Sequence, residues 1–314
     1  MNKNELLVRV EGLTKQFGTL KAVDDLSFSI HRGDVYGFLG QNGAGKSTTI
    51  RILLSLIAPT SGTVELFGYP LKTHRKEVLR KIGAIIERPD HYRYLTAFEN
   101  LRLFAQMSGC SSKREVLMEK LDLVGLASRA ESKVGTYSQG MKQRLGIAIA
   151  LVQDPELIIL DEPTNGLDPQ GIADIRNLLL LLSRSLHKTI LISSHLLNEV
   201  EQVATRMLII DKGKKMVEGS VDALFYPSEM LVELETDAPE VCFNLLQQSD
   251  FANASLNQKG PLIELQIQKQ RIPLLTRFLV QNNVGVLGIA SKNKLEDYFL
   301  KLTSANQHVD PYSN

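Results

Sequence analysis

The chain has 314 residues, 36 of them lysine or arginine and 35 aspartate or glutamate, for a net charge of +1. With 43% apolar and 23% charged residues it has the make-up of a soluble globular protein with room for a main domain and a smaller one. A balance this near neutrality gives no reason to expect a nucleic-acid partner. Two distant cysteines, Cys110 and Cys242, exclude a disulfide scaffold and a cysteine metal cage, and fit a reducing cytosol.

Met1–Glu5 is polar, so no secretory leader is expected. Leu6, Val8 and Val10 alternate as in a half-buried strand. The turn Gly12–Gly18 carries Phe17. On the residue pattern alone Phe17 is either a core phenylalanine or a platform for a flat ring. Val23–Ile30 alternates again, and Val35–Leu39 is an apolar strand. Gly40-Gln41-Asn42-Gly43-Ala44-Gly45-Lys46-Ser47-Thr48 follows and fits G-x-x-x-x-G-K-[ST] in full. A helix is expected over Ser47–Ala58, stopped by Pro59. Strands follow at Thr63–Phe67 and Arg80–Ile86, the second ending in Glu87-Arg88-Pro89.

Beyond Glu87 the pattern turns helical. Thr96–Glu99 and Ser112–Glu115 both read as capping boxes, and Ser112–Glu115 would open a helix with Leu117, Leu121 and Val124 on one face. A third helix runs from Gln139 to Val152, so residues 90–153 read as a helical subdomain inserted into a sheet domain. The apolar runs Leu157–Leu160 and Thr189–Ile192 read as strands covered on both faces, delivering Asp161-Glu162 and Ser193-Ser194-His195. Met207–Ile210 and Lys215–Val217 form a closing hairpin. Residues 221–314 follow as a second unit, with strands at Leu231–Glu235, Ala252–Leu256, Leu262–Ile267 and Val284–Ala290 and helices at Pro239–Gln248 and Ile272–Gln281. That order is the β-α-β-β-α-β, ferredoxin-like pattern. A last helix is expected over Lys294–Leu302. No run reaches the ~18 apolar residues of a membrane span, so any membrane role needs a partner that spans.

The chemistry begins at the phosphate loop. Glycines adopt dihedrals that a Cβ forbids and let backbone N–H groups point at phosphate oxygens. The following helix turns its positive end to the same anion. Lys46 reaches the β- and γ-phosphates, and the Ser47 hydroxyl can ligate Mg²⁺. Asp161, at a buried strand end, can hold Mg²⁺ through its waters, and Glu162 can take a proton from an attacking water. His195 is placed either to reach the γ-phosphate or merely to bond within a loop. These residues alone leave kinase, GTPase and motor ATPase open.

Taken together, the motifs resemble the nucleotide-binding subunit of an ABC transporter, over about residues 6–220. Gly40–Thr48 matches its Walker A sequence, and Leu157–Glu162 its Walker B sequence with the catalytic glutamate. Gly166-Leu167-Asp168-Pro169 matches the D-loop, His195 the switch histidine and Phe17 the adenine-stacking aromatic. Tyr137-Ser138-Gln139-Gly140-Met141 stands where the signature LSGGQ belongs; Ser138 and Gly140, its phosphate-contacting positions, are kept. The signature and Glu87, where glutamine is usual, resemble the bacitracin-resistance and lantibiotic-immunity exporters. The resemblance implies an α/β P-loop NTPase of ABC type with a mixed sheet core. Its cofactors are ATP and Mg²⁺, with Glu87 in the loop that senses the metal and touches the membrane subunit. It implies a head-to-tail homodimer in which each Ser138 completes the partner copy's site. It also implies a separate multi-span permease on the membrane's inner face and, from this branch, export of a peptide antibiotic, drug or lipid-like compound. A soluble ABC ATPase acting on ribosomes or DNA is the alternative. Relatives of that kind usually carry two cassettes or a long coiled-coil insertion, and this chain has one P-loop and neither.

Overall fold

The computed structural model describes residues 5–87, 89–225 and 230–292. The chain divides into two compact units, with the boundary between Gly219 and Ser220.

The first unit contains β1 (Leu6–Phe17), β2 (Leu20–His31), β3 (Val35–Leu39), β4 (Ser61–Leu66), β5 (Tyr69–Pro70), β6 (Ile82–Ile85), β7 (Leu157–Asp161), β8 (Thr189–Ser194), β9 (Arg206–Asp211) and β10 (Lys214–Ser220). Its helices are α1 (Lys46–Leu53), α2 (Arg75–Leu79), α3 (Ala97–Met107), α4 (Arg114–Leu123), α5 (Gln139–Ala150), α6 (Pro169–Arg184) and α7 (Leu197–Glu201). An antiparallel sheet has the order β2-β1-β4-β5, and a six-stranded sheet the order β10-β9-β3-β8-β7-β6. From β9 to β6 all neighbours in the larger sheet are parallel.

β3, β7 and β8 are buried at every position, which explains their unbroken apolar runs. Tyr36, Phe38, Ile159 and Leu191 face one core, shared with Leu7, Val8, Leu26 and Phe28 of the antiparallel sheet. Ile158, Leu160, Ile190 and Ile192 face another, shared with the helices between β6 and β7. Parallel pairing also brings the carboxyl ends of the strands to one edge. Leu39 pairs with Ser194, Asp161 with Ser193, and Ile85 with Leu160. The residues that follow each strand therefore gather along that edge, where open α/β sheets take their ligands.

Several expected elements shift. α1 stops at Leu53, short of Ala58, because Ser55 turns left-handed (φ 54°) and the Leu56 N–H folds back on the Arg51 carbonyl. The Thr96 capping box forms in full. The one expected at Ser112 does not. α4 starts at Arg114 with Lys113 as an N-cap that lends no side chain, while the Arg114 guanidinium packs over the Phe98 ring and pairs with Glu131.

The second unit contains α8 (Val221–Phe225), β11 (Met230–Thr236), α9 (Pro239–Gln247), β12 (Asn257–Lys259), β13 (Leu262–Ile267), α10 (Ile272–Gln281) and β14 (Val286–Lys292). The sheet order is β12-β13-β11-β14, antiparallel throughout. Val232, Leu234, Ile263 and Leu265 pack with Leu246, Leu275 and Leu279 of the helices. The strand expected at Ala252–Leu256 is a turn instead, closed by Ala252 N–H on Ser249 O and by Ala254 N–H on Phe251 O. The pairing strand is the polar, exposed Asn257–Lys259. The helix expected over Lys294–Leu302 lies outside the described residues.

Candidate active site

The phosphate loop leaves β3 at Gly40 and enters α1 through Gly45. Gly43 (φ 83°) and Gly45 (φ 107°) sit where a side chain is strained, and a Cβ on Gly45 would lie 2.4 Å from the Ala22 carbonyl oxygen. Gly45 is the N-cap of α1 and offers no side chain to the first-turn amides, so no intramolecular cap competes for an anion at that helix end. Lys46 is buried. Its Nζ donates to the carbonyls of Gly40 (2.6 Å) and Gln41 (3.2 Å) and stands 3.1 Å from Glu162 Oε1, an ion pair outside hydrogen-bond geometry.

Asp161 ends β7 and Glu162 follows it, beside Ser193 of β8 and His195, which follows β8. The Ser193 hydroxyl donates to Asp161 Oδ1 (2.5 Å) and accepts the Glu162 N–H (2.9 Å). Asp161 is 2% exposed, and its second oxygen, Oδ2, has no partner. Glu162 is left-handed (φ 50°), a conformation that must be held by its surroundings. Its Oε2 lies 2.8 Å from His195 Nδ1. A carboxylate only accepts, so Nδ1 carries the proton in this contact. Ser47, Glu87, Gln139, Asp161 and Glu162 line one cavity of about 430 Å³. Glu87 is also left-handed (φ 58°), is exposed, and is ion-paired with Arg51, one helical turn beyond Ser47.

The remaining expected residues sit on other elements. Phe17 ends β1 and is 50% exposed, so it is no core residue; the Lys15 ammonium lies 4.9 Å from its ring centre. Ser138 is the N-cap of α5, its Oγ accepting the Met141 N–H at 3.2 Å, and Gln139 and Gly140 open that helix. Asp168 is the N-cap of α6, its Oδ1 accepting the Gly171 N–H at 2.9 Å. A Cβ on Gly140 would lie 3.8 Å from the Gly171 Cα, so the two helix starts are neighbours. Two further residues, Ser193 and Arg51, contact the site residues. Ser193 could have been found as a hydroxyl at a buried strand end beside an acid. Nothing in the sequence pointed to Arg51 as the partner of Glu87.

A glycine-cradled lysine, a buried aspartate with a spare oxygen, and a glutamate–histidine pair define a P-loop nucleoside triphosphatase. The ABC transporter family model matches residues 23–165. The chain is 44% identical over 298 residues to the bacitracin transport ATP-binding protein BcrA of Bacillus licheniformis, covering 94% of this chain and 97% of that one. It is 41% identical over 228 residues to the lantibiotic transport ATP-binding protein SrtF of Streptococcus pyogenes, covering 73% and 95%. The dimeric ATP-binding cassette MJ0796, solved with ADP and Pi, superposes with a TM-score of 0.62 at 26% identity, covering 68% of this chain and 99% of that one. The chain belongs to the ATP-binding proteins of ABC transporters, with the ATPase cassette fold of that family. It is an ATPase, and its hydrolysis of ATP powers membrane transport.

Proposed function

We propose that this chain hydrolyses ATP to drive export of a peptide antibiotic, or of a drug or lipid-like compound, through a separate multi-span permease. The observation that carries the substrate class is the 44% identity, along nearly the whole chain, to a bacitracin transport ATP-binding protein. Among the described residues no helix is long and apolar enough to cross a membrane, in keeping with a spanning partner that holds the chain at the inner face.

In this reading the Gly43 and Gly45 backbone and Lys46 cradle the phosphates, and Phe17 stacks on the adenine. Glu162 takes the proton of the attacking water, and His195 steadies that carboxylate and reaches the γ-phosphate. The donor set suits Mg²⁺. Asp161 Oδ2 is a buried acceptor without a partner, and the Ser47 hydroxyl shares its cavity. Among the described residues no cluster of three acidic, histidine or cysteine side chains forms a cage, as expected for a cation held largely by phosphates and water. Ser47 and Asp161 would hold the cation, which would supply positive charge to offset that of the phosphates. Ser138, Gln139, Gly140 and Asp168 serve a second copy of the chain, head to tail; the dimeric MJ0796 cassette supports a second copy. We read the second unit as a ferredoxin-like accessory domain, which over its described residues the β-α-β-β-α-β order and the strand order β12-β13-β11-β14 support.

The test is co-purification of the chain from membranes with a multi-span membrane protein. The expected result is a detergent-stable complex whose ATPase rises with the exported compound. Recovery with ribosomes or DNA and no membrane protein would contradict the reading.

A further inference from the structure

The two chemical side chains of the site stand on separate loops, Glu162 after β7 and His195 at the end of β8. Ser193 ties the loops together on the strand side of the pair. A second tie lies beyond it. Thr164, two residues after Glu162, donates its hydroxyl to Glu199 Oε2 at 2.5 Å. The hydroxyl of Ser194, directly before His195, lies 3.3 Å from the same oxygen. The Ser194 oxygen also accepts the Leu196 N–H at 3.0 Å, and its one hydroxyl proton is shared between Glu199 and the Leu196 carbonyl at 3.4 Å. Thr164 is 8% exposed and Ser194 is fully buried, while Glu199 is half-buried. Charge-assisted bonds of this kind are the stronger ones. Glu199 belongs to α7, which carries neither Glu162 nor His195.

We propose that Glu199 is a positioning residue for hydrolysis: one carboxylate oxygen clasps the Glu162 loop to the His195 loop and so fixes the Glu162–His195 contact. The proposal rests on the reading of Glu162 as the base. The left-handed Glu162 backbone gives the clasp its purpose, because a residue in that conformation relaxes when its neighbours release it. Thr164 and Ser194 set the separation of the two loops, and the separation sets the aim of the carboxylate at water.

The test is steady-state ATPase of the full chain. Glu199→Ala should lower kcat by about tenfold or more while the KM for ATP stays within about twofold, since a misplaced base slows chemistry and leaves the phosphate cradle intact. Glu199→Gln keeps an acceptor oxygen for both hydroxyls and should restore kcat to within about threefold of wild type. On a Glu162→Gln background, Glu199→Ala should cost less than about twofold more, because it acts through Glu162. If Glu199→Ala does not fold, Thr164→Val, which keeps the shape and removes the donor, should still lower kcat at constant KM. An unchanged kcat in the folded variant, a raised KM alone, or a full further loss on the Glu162→Gln background overturns the clasp. Glu162→Gln alone reads the base separately: turnover within twofold of wild type there removes the base and the clasp together, whereas a deep loss there with an unaffected Glu199→Ala removes the clasp only.

Discussion

Glu87 lines the cavity that holds Ser47, Asp161 and Glu162, and its carboxylate is paired with Arg51 of α1. Both partners are substantially exposed, so the pair is worth at most about 1 kcal/mol. A change to the amide therefore removes one charge from a wet position near a nucleotide whose own charge Mg²⁺ and Lys46 offset. Glu87→Gln should leave ATP affinity and basal hydrolysis within about threefold of wild type. Transport, or resistance to the exported compound, should fall instead, because this loop is the expected contact with the permease. ATPase and resistance measured in the same variant decide it; a deep loss of basal ATPase would make Glu87 a second catalytic carboxylate. The phosphate loop was legible residue by residue because glycine dihedrals and a lysine leave a fixed spacing. The Arg51 partner was not legible, because it depends on where the chain travels after β6. The Glu162–His195 contact was legible only as two strand ends; its 2.8 Å geometry follows from the β7–β8 register, which places Asp161 opposite Ser193 across 32 residues of sequence.

At the scale of elements, the loop after β6 is tied to the helix that Ser138 opens. His91 Nε2 donates to the Lys142 carbonyl in the first turn of α5 at 2.9 Å, and its Nδ1 is buried without a partner. Burial holds the His91 pKa below the usual imidazole value, with the bond to Lys142 opposing it only in part. The unfolded chain thus binds this proton more readily than the folded one. The stability His91 contributes is present above about pH 6.5 and is lost as pH falls below that value. Thermal unfolding at pH 7.5 and 5.5 should show a smaller pH-dependent fall in Tm for His91→Gln than for wild type; an equal fall would contradict the assignment. Element types were mostly legible from period, and the misses have local causes. The alternation at Ala252–Leu256 is interrupted by the Ser249 turn, and the true strand, Asn257–Lys259, carries no apolar residue to announce it. Ser112 had the spacing of a cap but not the place, because α4 begins where Arg114 packs on Phe98.

In the whole molecule, one sheet edge gathers the phosphate loop, Asp161, Glu162 and His195, while Ser138 and Asp168 cap two neighbouring helices. At the start of α5 the Ser138 hydroxyl takes the Met141 N–H, and the positive end of such a helix favours an anion. The first unit holds every motif residue. All of this depends on Glu162 acting as the base beside Lys46. The most direct measurement is ATP turnover and ATP binding by Glu162→Gln against wild type. Binding should persist, because Lys46, Ser47 and the loop amides remain and the carboxylate 3.1 Å from Lys46 loses its charge. Turnover should fall by about 100-fold or more, the scale of losing a general base, and an ATP-bound dimer should accumulate. Turnover within a factor of about two of wild type, with ATP bound as before, would contradict the account.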